Sequence, residues 1–218
     1  MGISDKTIKI DPNKPEPDLI RKAASVIRGG GIIVFPARGL YGLAADAFNT
    51  EAVDRVFEIK KRAGEKPLPV LVDSYLMMSC LVKNITPIAQ KIMERFWPGG
   101  VTIIFEANDN LPVNLTASTG KIGIRKPGHP VALALVKAVG VPITGTSANL
   151  SGNLGCFCLS DIDPIIAEKV DLIIDAGVLK GGVGSTVVDA TGRLPVILRE
   201  GEISKKEILS ALNLESFE

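Results

Sequence analysis

Apolar runs of the sequence such as GIIVF at 31–35 and VTIIF at 101–105 are the length of one buried strand. A bilayer span needs about 20 apolar residues, so these runs predict strands of a soluble core. Between them lie segments with apolar residues at helical spacing. In PDLIRKAASVIRG, Leu19, Ile20, Ala23, Ala24 and Ile27 fall on one face, and Gly29, Gly30 and Gly31 end the helix. In TEAVDRVFEIKKR, Val53, Val56, Phe57 and Lys60 share a stripe, with Thr50 as the expected N-cap. Helices alternating with short apolar strands mean an α/β layer structure whose sheet is largely buried.

Further strands are predicted in PLPVLV and over 101–106, 121–125, 142–145, 171–175, 185–189 and 195–199. Helices are expected from Pro87 to Phe96 behind Thr86, and over 130–139 and 161–169. Ser204 and Glu207 carry the spacing of a capping box, so a last helix starts there. A length of 218 residues with 46% hydrophobic residues supports one sizeable core, and no repeat, low-complexity stretch or linker divides it. The fold class read here is α/β, a single domain with an open, twisted, mixed sheet and flanking helices.

Charge is distributed unevenly in a chain whose formal net charge is +1. In KKRAGEKPLPVLVDS, at 60–74, Lys60, Lys61, Arg62 and Lys66 stand before a strand with only Glu65 against them. A helix C-terminus favours cations, which accounts for Lys60 and Arg62 alone. Arg125 in IGIRKPGHP and Arg199 in VILREG recur at other strand ends, where open α/β sheets bind ligands. Together they predict a concave basic floor for a polyanion, either a nucleoside triphosphate or an RNA backbone. The segment ITGTSANLSG, with Gly145, Thr146, Ser147, Asn149, Ser151 and Gly152, supplies small residues and hydroxyls that let phosphate approach the backbone.

Several chemistries find no support. Cys80, Cys156 and Cys158 form no CxxC pair, and His129 is the sole histidine, so a Cys/His zinc site lacks ligands. Reduced thiols are expected. GGVGSTVVD is neither a Walker A loop, since no Lys precedes Ser185, nor a GxGxxG turn. Aromatic residues are 5% of the chain, too few for base-stacking platforms. The N-terminus has no apolar signal core, and Lys6 stands where a myristoylation pattern expects Ser or Thr, so a cytoplasmic protein without membrane attachment is expected.

The segments GGIIVFPARGLYGLAADA, KKRAGEKPLPVLV, FWPGGVTIIF, IGIRKPGHP, TGTSANLSG, GGVGSTVVD and ILREGEIS resemble, in order, the blocks of the YrdC/TsaC family of threonylcarbamoyl-AMP synthases, from about residue 15 to 204. The resemblance implies a YrdC-like domain at 15–204, after an N-terminal extension at 1–14 and before a C-terminal helix at 205–218. The chain is similar to the short form, without the extra C-terminal domain of longer members. The implied reaction joins L-threonine, bicarbonate and ATP into threonylcarbamoyl-adenylate with release of pyrophosphate. The product feeds N6-threonylcarbamoylation of adenosine 37 in tRNA. Magnesium on the phosphates, binding of tRNA or double-stranded RNA, and other tRNA-threonylcarbamoylation proteins as partners are implied as well.

Carried over by position, Lys60, Arg62 and Lys66 would face the ATP phosphates, with Ser147, Asn149 and Arg199 at the nucleotide. Arg125 would hold the threonine carboxylate, with Gly39, Gly145 and Ser185 around the same group. No residue is assigned as nucleophile, general base or metal ligand. Catalysis is expected from charge stabilisation by Lys60 and Arg62 and from in-line placement of the carbamate. Where the family usually reads Pro-Thr-Glu-Thr, this chain has Pro36, Ala37, Arg38 and Gly39. Arg38 is expected to reverse the local charge. That departure leaves two alternatives: an RNA-binding YrdC/YciO-like paralogue, and an enzyme that adenylates a different small amino acid or carbamate.

Overall fold

The computed structural model describes residues 3–62, 64 and 67–214. The chain is α/β, as the alternating pattern predicts, with its strands divided between two mixed sheets. In chain order the strands are β1 (Thr7–Lys9), β2 (Ile33–Pro36), β3 (Tyr41–Ala44), β4 (Val70–Leu71), β5 (Val101–Glu106), β6 (Lys121–Arg125), β7 (Ile143–Thr144), β8 (Thr146–Ser147), β9 (Leu172–Asp175), β10 (Thr186–Asp189) and β11 (Val196–Arg199). One sheet runs β1-β9-β2-β3-β8 and the other β11-β10-β5-β6-β4-β7. Parallel and antiparallel neighbours occur in both: β9 lies parallel to β1 and β2, and β5 lies parallel to β10 but antiparallel to β6.

The helices are α1 (Pro17–Arg28), α2 (Thr50–Lys60), α3 (Tyr75–Ser79), α4 (Pro87–Phe96), α5 (Val113–Thr116), α6 (Pro130–Val139), α7 (Pro164–Lys169) and α8 (Lys205–Ala211). Helices α1 and α6 pack on each other, and both pack on β2. Ile20, Ala23, Ala24 and Ile27 of α1 are all buried. Thr86 caps α4, and Ser204 and Glu207 form the expected reciprocal box at the start of α8. Asn49, not Thr50, caps α2, its side chain accepting from the Ala52 amide. The helix expected over 161–169 is shorter, because Asp163 and Pro164 set its start after a 3-10 turn at Leu159–Asp161.

A single strand was expected over 142–145, and the structure has two short ones belonging to different sheets. Residues 143–144 pair with β4, whereas residues 146–147 pair with β3. Gly145 sits at the switch, its amide donating to the Pro69 carbonyl at 2.8 Å. A Cβ there would lie 2.7 Å from Leu71 Cγ, so only glycine fits the crossing. The Ala45 amide donates to Thr144 Oγ1 at 3.0 Å, and the Thr144 amide returns to the Ala45 carbonyl at 2.8 Å. The chain from 143 to 147 thereby stitches the sheets along a seam, and the candidate site is built there.

Candidate functional site

The β2–β3 connection, the SAN segment that begins in β8, the end of β6, the start of β10 and the end of β11 converge at this seam. Lys60 ends α2 and is only 2% exposed. Its Nζ donates to the Ser147 carbonyl at 2.5 Å, the Asn149 carbonyl at 2.7 Å and Asn149 Oδ1 at 3.3 Å. The Lys60 carbonyl accepts from the Ser151 amide at 2.9 Å, so side chain and backbone both grip the same loop. Burial, reinforced by the charge of Arg62, pushes the Lys60 ammonium down to about 8. The donors of Lys60, which was expected to face phosphate, are taken up by the 147–151 loop. Within that loop the Ser147 hydroxyl donates to Asn149 Oδ1, and Asn149 Nδ2 donates to the Asn153 carbonyl.

Arg62 donates from Nη2 to the Pro67 carbonyl at 3.0 Å. Its guanidinium is held below its ordinary value by burial first and then by the neighbouring charge of Arg199. Arg199 is itself placed by Ser185, donating from Nε and Nη2 to its carbonyl at 3.1 and 2.6 Å, and from Nη2 to Oγ at 3.3 Å. The Ser185 hydroxyl lies 2.8 Å from Thr102 Oγ1 on β5, which sequence reasoning passed over inside an apolar strand. Lys66 lies outside the described residues.

Arg125, at the end of β6, is 7% exposed. Among the described residues no acceptor hydrogen-bonds its guanidinium and no carboxylate forms an ion pair with it. Burial pushes it down to about 10, and the charges of Arg38 and Arg199 act in the same direction while Glu202 opposes them. A buried cation without a partner is costly. An arrangement of this kind is complete when an anion with planar, bidentate geometry arrives.

The Arg38 that was expected to reverse the local charge is met by a carboxylate. Its Nε lies 2.5 Å from Glu202 Oε2, both side chains being about one-third exposed. Glu202 went unrecognised in sequence because it lies 164 positions away from Arg38, with no spacing rule to connect them. Gly39 serves by being small: its carbonyl accepts from the Gly181 amide at 2.9 Å, and a Cβ would come within 2.4 Å of the Gly181 carbonyl oxygen. The glycine loop before β10 can therefore lie against the β2–β3 connection. His129 caps α6 by accepting from the Val131 amide at its Nδ1. No group of three or more His, Cys, Asp or Glu gathers to hold a metal among the described residues.

Guanidinium groups from the ends of two strands, hydroxyls beneath them and a loop fixed by a buried lysine mark an α/β protein whose candidate site straddles two mixed sheets. The chain belongs to the Sua5/YciO/YrdC family, whose model, described as telomere recombination, matches residues 25–201. It is 36% identical to the threonylcarbamoyl-AMP synthase of Pyrococcus abyssi over 87% of its own length and 56% of that protein. To the synthase of Bacillus subtilis it is 36% identical, over 94% of this chain and 58% of that protein. The chain thus spans less than three-fifths of these two relatives. A structure of P. abyssi Sua5 complexed with L-threonine superposes with a TM-score of 0.87 at 34% identity, covering 94% of this chain and 60% of that one. Escherichia coli YciO superposes with a TM-score of 0.85 at 29% identity, covering 93% and 98%.

Proposed function

We propose that the chain makes L-threonylcarbamoyl-adenylate from L-threonine, bicarbonate and ATP. The observation that carries this reading is Arg125, a buried guanidinium without an acceptor beside two further arginines. Threonine and bicarbonate give a carbamate with loss of water. A carbamate oxygen then bonds to the α-phosphorus of ATP as the bond to the β-phosphate oxygen breaks, and pyrophosphate leaves. Such a step asks the protein for placement and charge neutralisation more than for a nucleophile.

In this reading Arg125 binds the threonine carboxylate and Ser185 stands beside it, with Gly39 and Gly145 shaping the pocket. Arg62 and Arg199 face the phosphates together with Lys66. Ser147 and Asn149 meet the nucleotide, and Lys60 acts by holding their loop. ATP enters as its magnesium complex. The adenylate passes to adenosine 37 of tRNA through further threonylcarbamoylation proteins, and the setting is the cytoplasm. No helix among the described residues is long and apolar enough to cross a membrane.

Pyrophosphate release from ATP and bicarbonate, measured with magnesium present, tests the reaction. Release that depends on L-threonine is the expected result. Nucleotide binding without such release would overturn it. Release stimulated by another amino acid would move the assignment to that substrate.

A second reading rests on the similarity to YciO over nearly all of that protein and on Arg38 in the pocket. In it, the same basin binds structured RNA without forming the adenylate. Steeply salt-dependent RNA binding, with no pyrophosphate release, is its signature.

A further inference from the structure

The ion pair between Arg38 and Glu202 is placed unlike an ordinary surface pair. Arg38 lies between β2 and β3 in one sheet, and Glu202 follows β11 at the edge of the other, so the pair crosses the seam. Two glycines, Gly128 and Gly100, lie tight against it, and Gly99 borders it at ordinary contact distance. A Cβ on Gly128 would lie 2.9 Å from Arg38 Nη1, one on Gly100 would lie 2.6 Å from Glu202 Oε2, and one on Gly99 would lie 3.6 Å from Arg38 Nη1. Gly128 stands three residues after Arg125, so the Arg38 guanidinium lies against the turn that follows Arg125. Of the charges around Arg125, Arg38 has the largest effect on it, and Glu202 is the carboxylate that opposes it.

We propose that Arg38 is a second anion-binding residue of the Arg125 pocket, and that Glu202 occupies it as an intramolecular stand-in for the ligand. An incoming carboxylate or phosphate meets Arg125, which lacks an acceptor, and Arg38, which already has one. Two guanidiniums on one anion bind it better than one, because each adds charge-assisted hydrogen bonds. To engage both, the anion displaces Glu202, whose one-third exposure lets it turn into solvent. Affinity is therefore set by competition between the ligand and a tethered carboxylate, and Glu202 lowers it for every anion. The inference rests on the anion-pocket reading of Arg125, not on the identity of threonine.

The test measures dissociation constants of the full chain for inorganic phosphate and, separately, for L-threonine, at low ionic strength by titration calorimetry. Glu202→Gln keeps the shape and removes the competing charge, and is expected to tighten phosphate about two- to fivefold, the range of a solvent-accessible ion pair. Glu202→Asp, with shorter reach, shifts phosphate affinity in the same direction by less. Arg38→Ala weakens phosphate about fivefold or more. In Arg38→Ala/Glu202→Gln the gain from Glu202→Gln disappears, because no guanidinium remains to be released. Unchanged or weakened phosphate binding in both Glu202 variants would overturn the proposal and leave the pair as a strap between sheets. Tighter phosphate with no threonine binding would uphold the proposal while removing threonine as the ligand.

Discussion

Lys60 shows how a cation chosen by sequence for one task is used by the fold for another. Its Nζ satisfies two loop carbonyls that would otherwise lie at a buried seam without donors, and each such orphan costs about 1–3 kcal/mol. Lys60→Met retains volume and stem packing but leaves both carbonyls bare. We expect it to destabilise the chain by about 2–4 kcal/mol at neutral pH on that count and to lose nucleotide affinity because the 147–151 loop is released. Arg62→Ala loses nucleotide affinity with stability nearly intact, and comparing urea denaturation with nucleotide titration separates the two. The pH dependence adds a sharper check. The folded chain releases the Lys60 proton near pH 8, whereas the unfolded chain holds it until about 10.5. Between those values the unfolded chain binds more protons, so the Lys60 contribution to stability rises with pH by at most about 1.4 kcal/mol per pH unit. Lys60→Met abolishes that rise. An identical pH profile in wild type and variant would show that the ammonium is not held in this buried state.

The seam depends on backbone closeness that side chains would prevent. Gly39→Ala places a methyl against the Gly181 carbonyl oxygen. The clash is with backbone, so the 181–184 loop must shift, at a cost of about 1–3 kcal/mol. Ser185 follows that loop and positions Arg199, so nucleotide affinity is expected to fall along with the melting temperature. A variant with wild-type melting and binding would refute the packing argument. The same elements show what the sequence could reveal. Periodicity located α1, α4, α6, β5 and β6, because each is long enough for burial to write a pattern, and the capping box marked α8. It could not divide 142–145 into strands of two sheets, since two-residue strands carry no period and the switch depends on Leu71 and Pro69, far away in sequence. Strand-end arginines were legible as a recurring position, whereas the Glu202 partner and the Thr102 hydroxyl exist only once the sheets have met.

On the scale of the whole molecule, folding brings together Arg38, Arg62, Arg125 and Arg199, which the chain keeps far apart, with Glu202 as the carboxylate among them. Burying a cation and bringing like charges beside it both oppose folding, and the depressed value of Arg125 records burial first and the neighbouring arginines second. At about 10 it still lies well above neutral pH, so Arg125 remains charged in the ligand-free chain, and its desolvation is an uncompensated cost. Replacing a buried charge by an apolar group of similar length is then expected to stabilise the free protein. For Arg125→Met a gain of about 1–3 kcal/mol corresponds, for a chain of this size, to a melting temperature higher by about 2–10 °C. Ligand response should move in the opposite direction. Phosphate or threonine raises the melting temperature of the wild type through mass action, by about 2.7 kcal/mol of stabilisation at a hundred times the dissociation constant. That rise should vanish in Arg125→Met. A variant that melts lower than wild type without ligand, or still responds to ligand, would make Arg125 a structural residue, because stability given up in the free state and regained on binding is what separates a site for an anion from a well-packed cation.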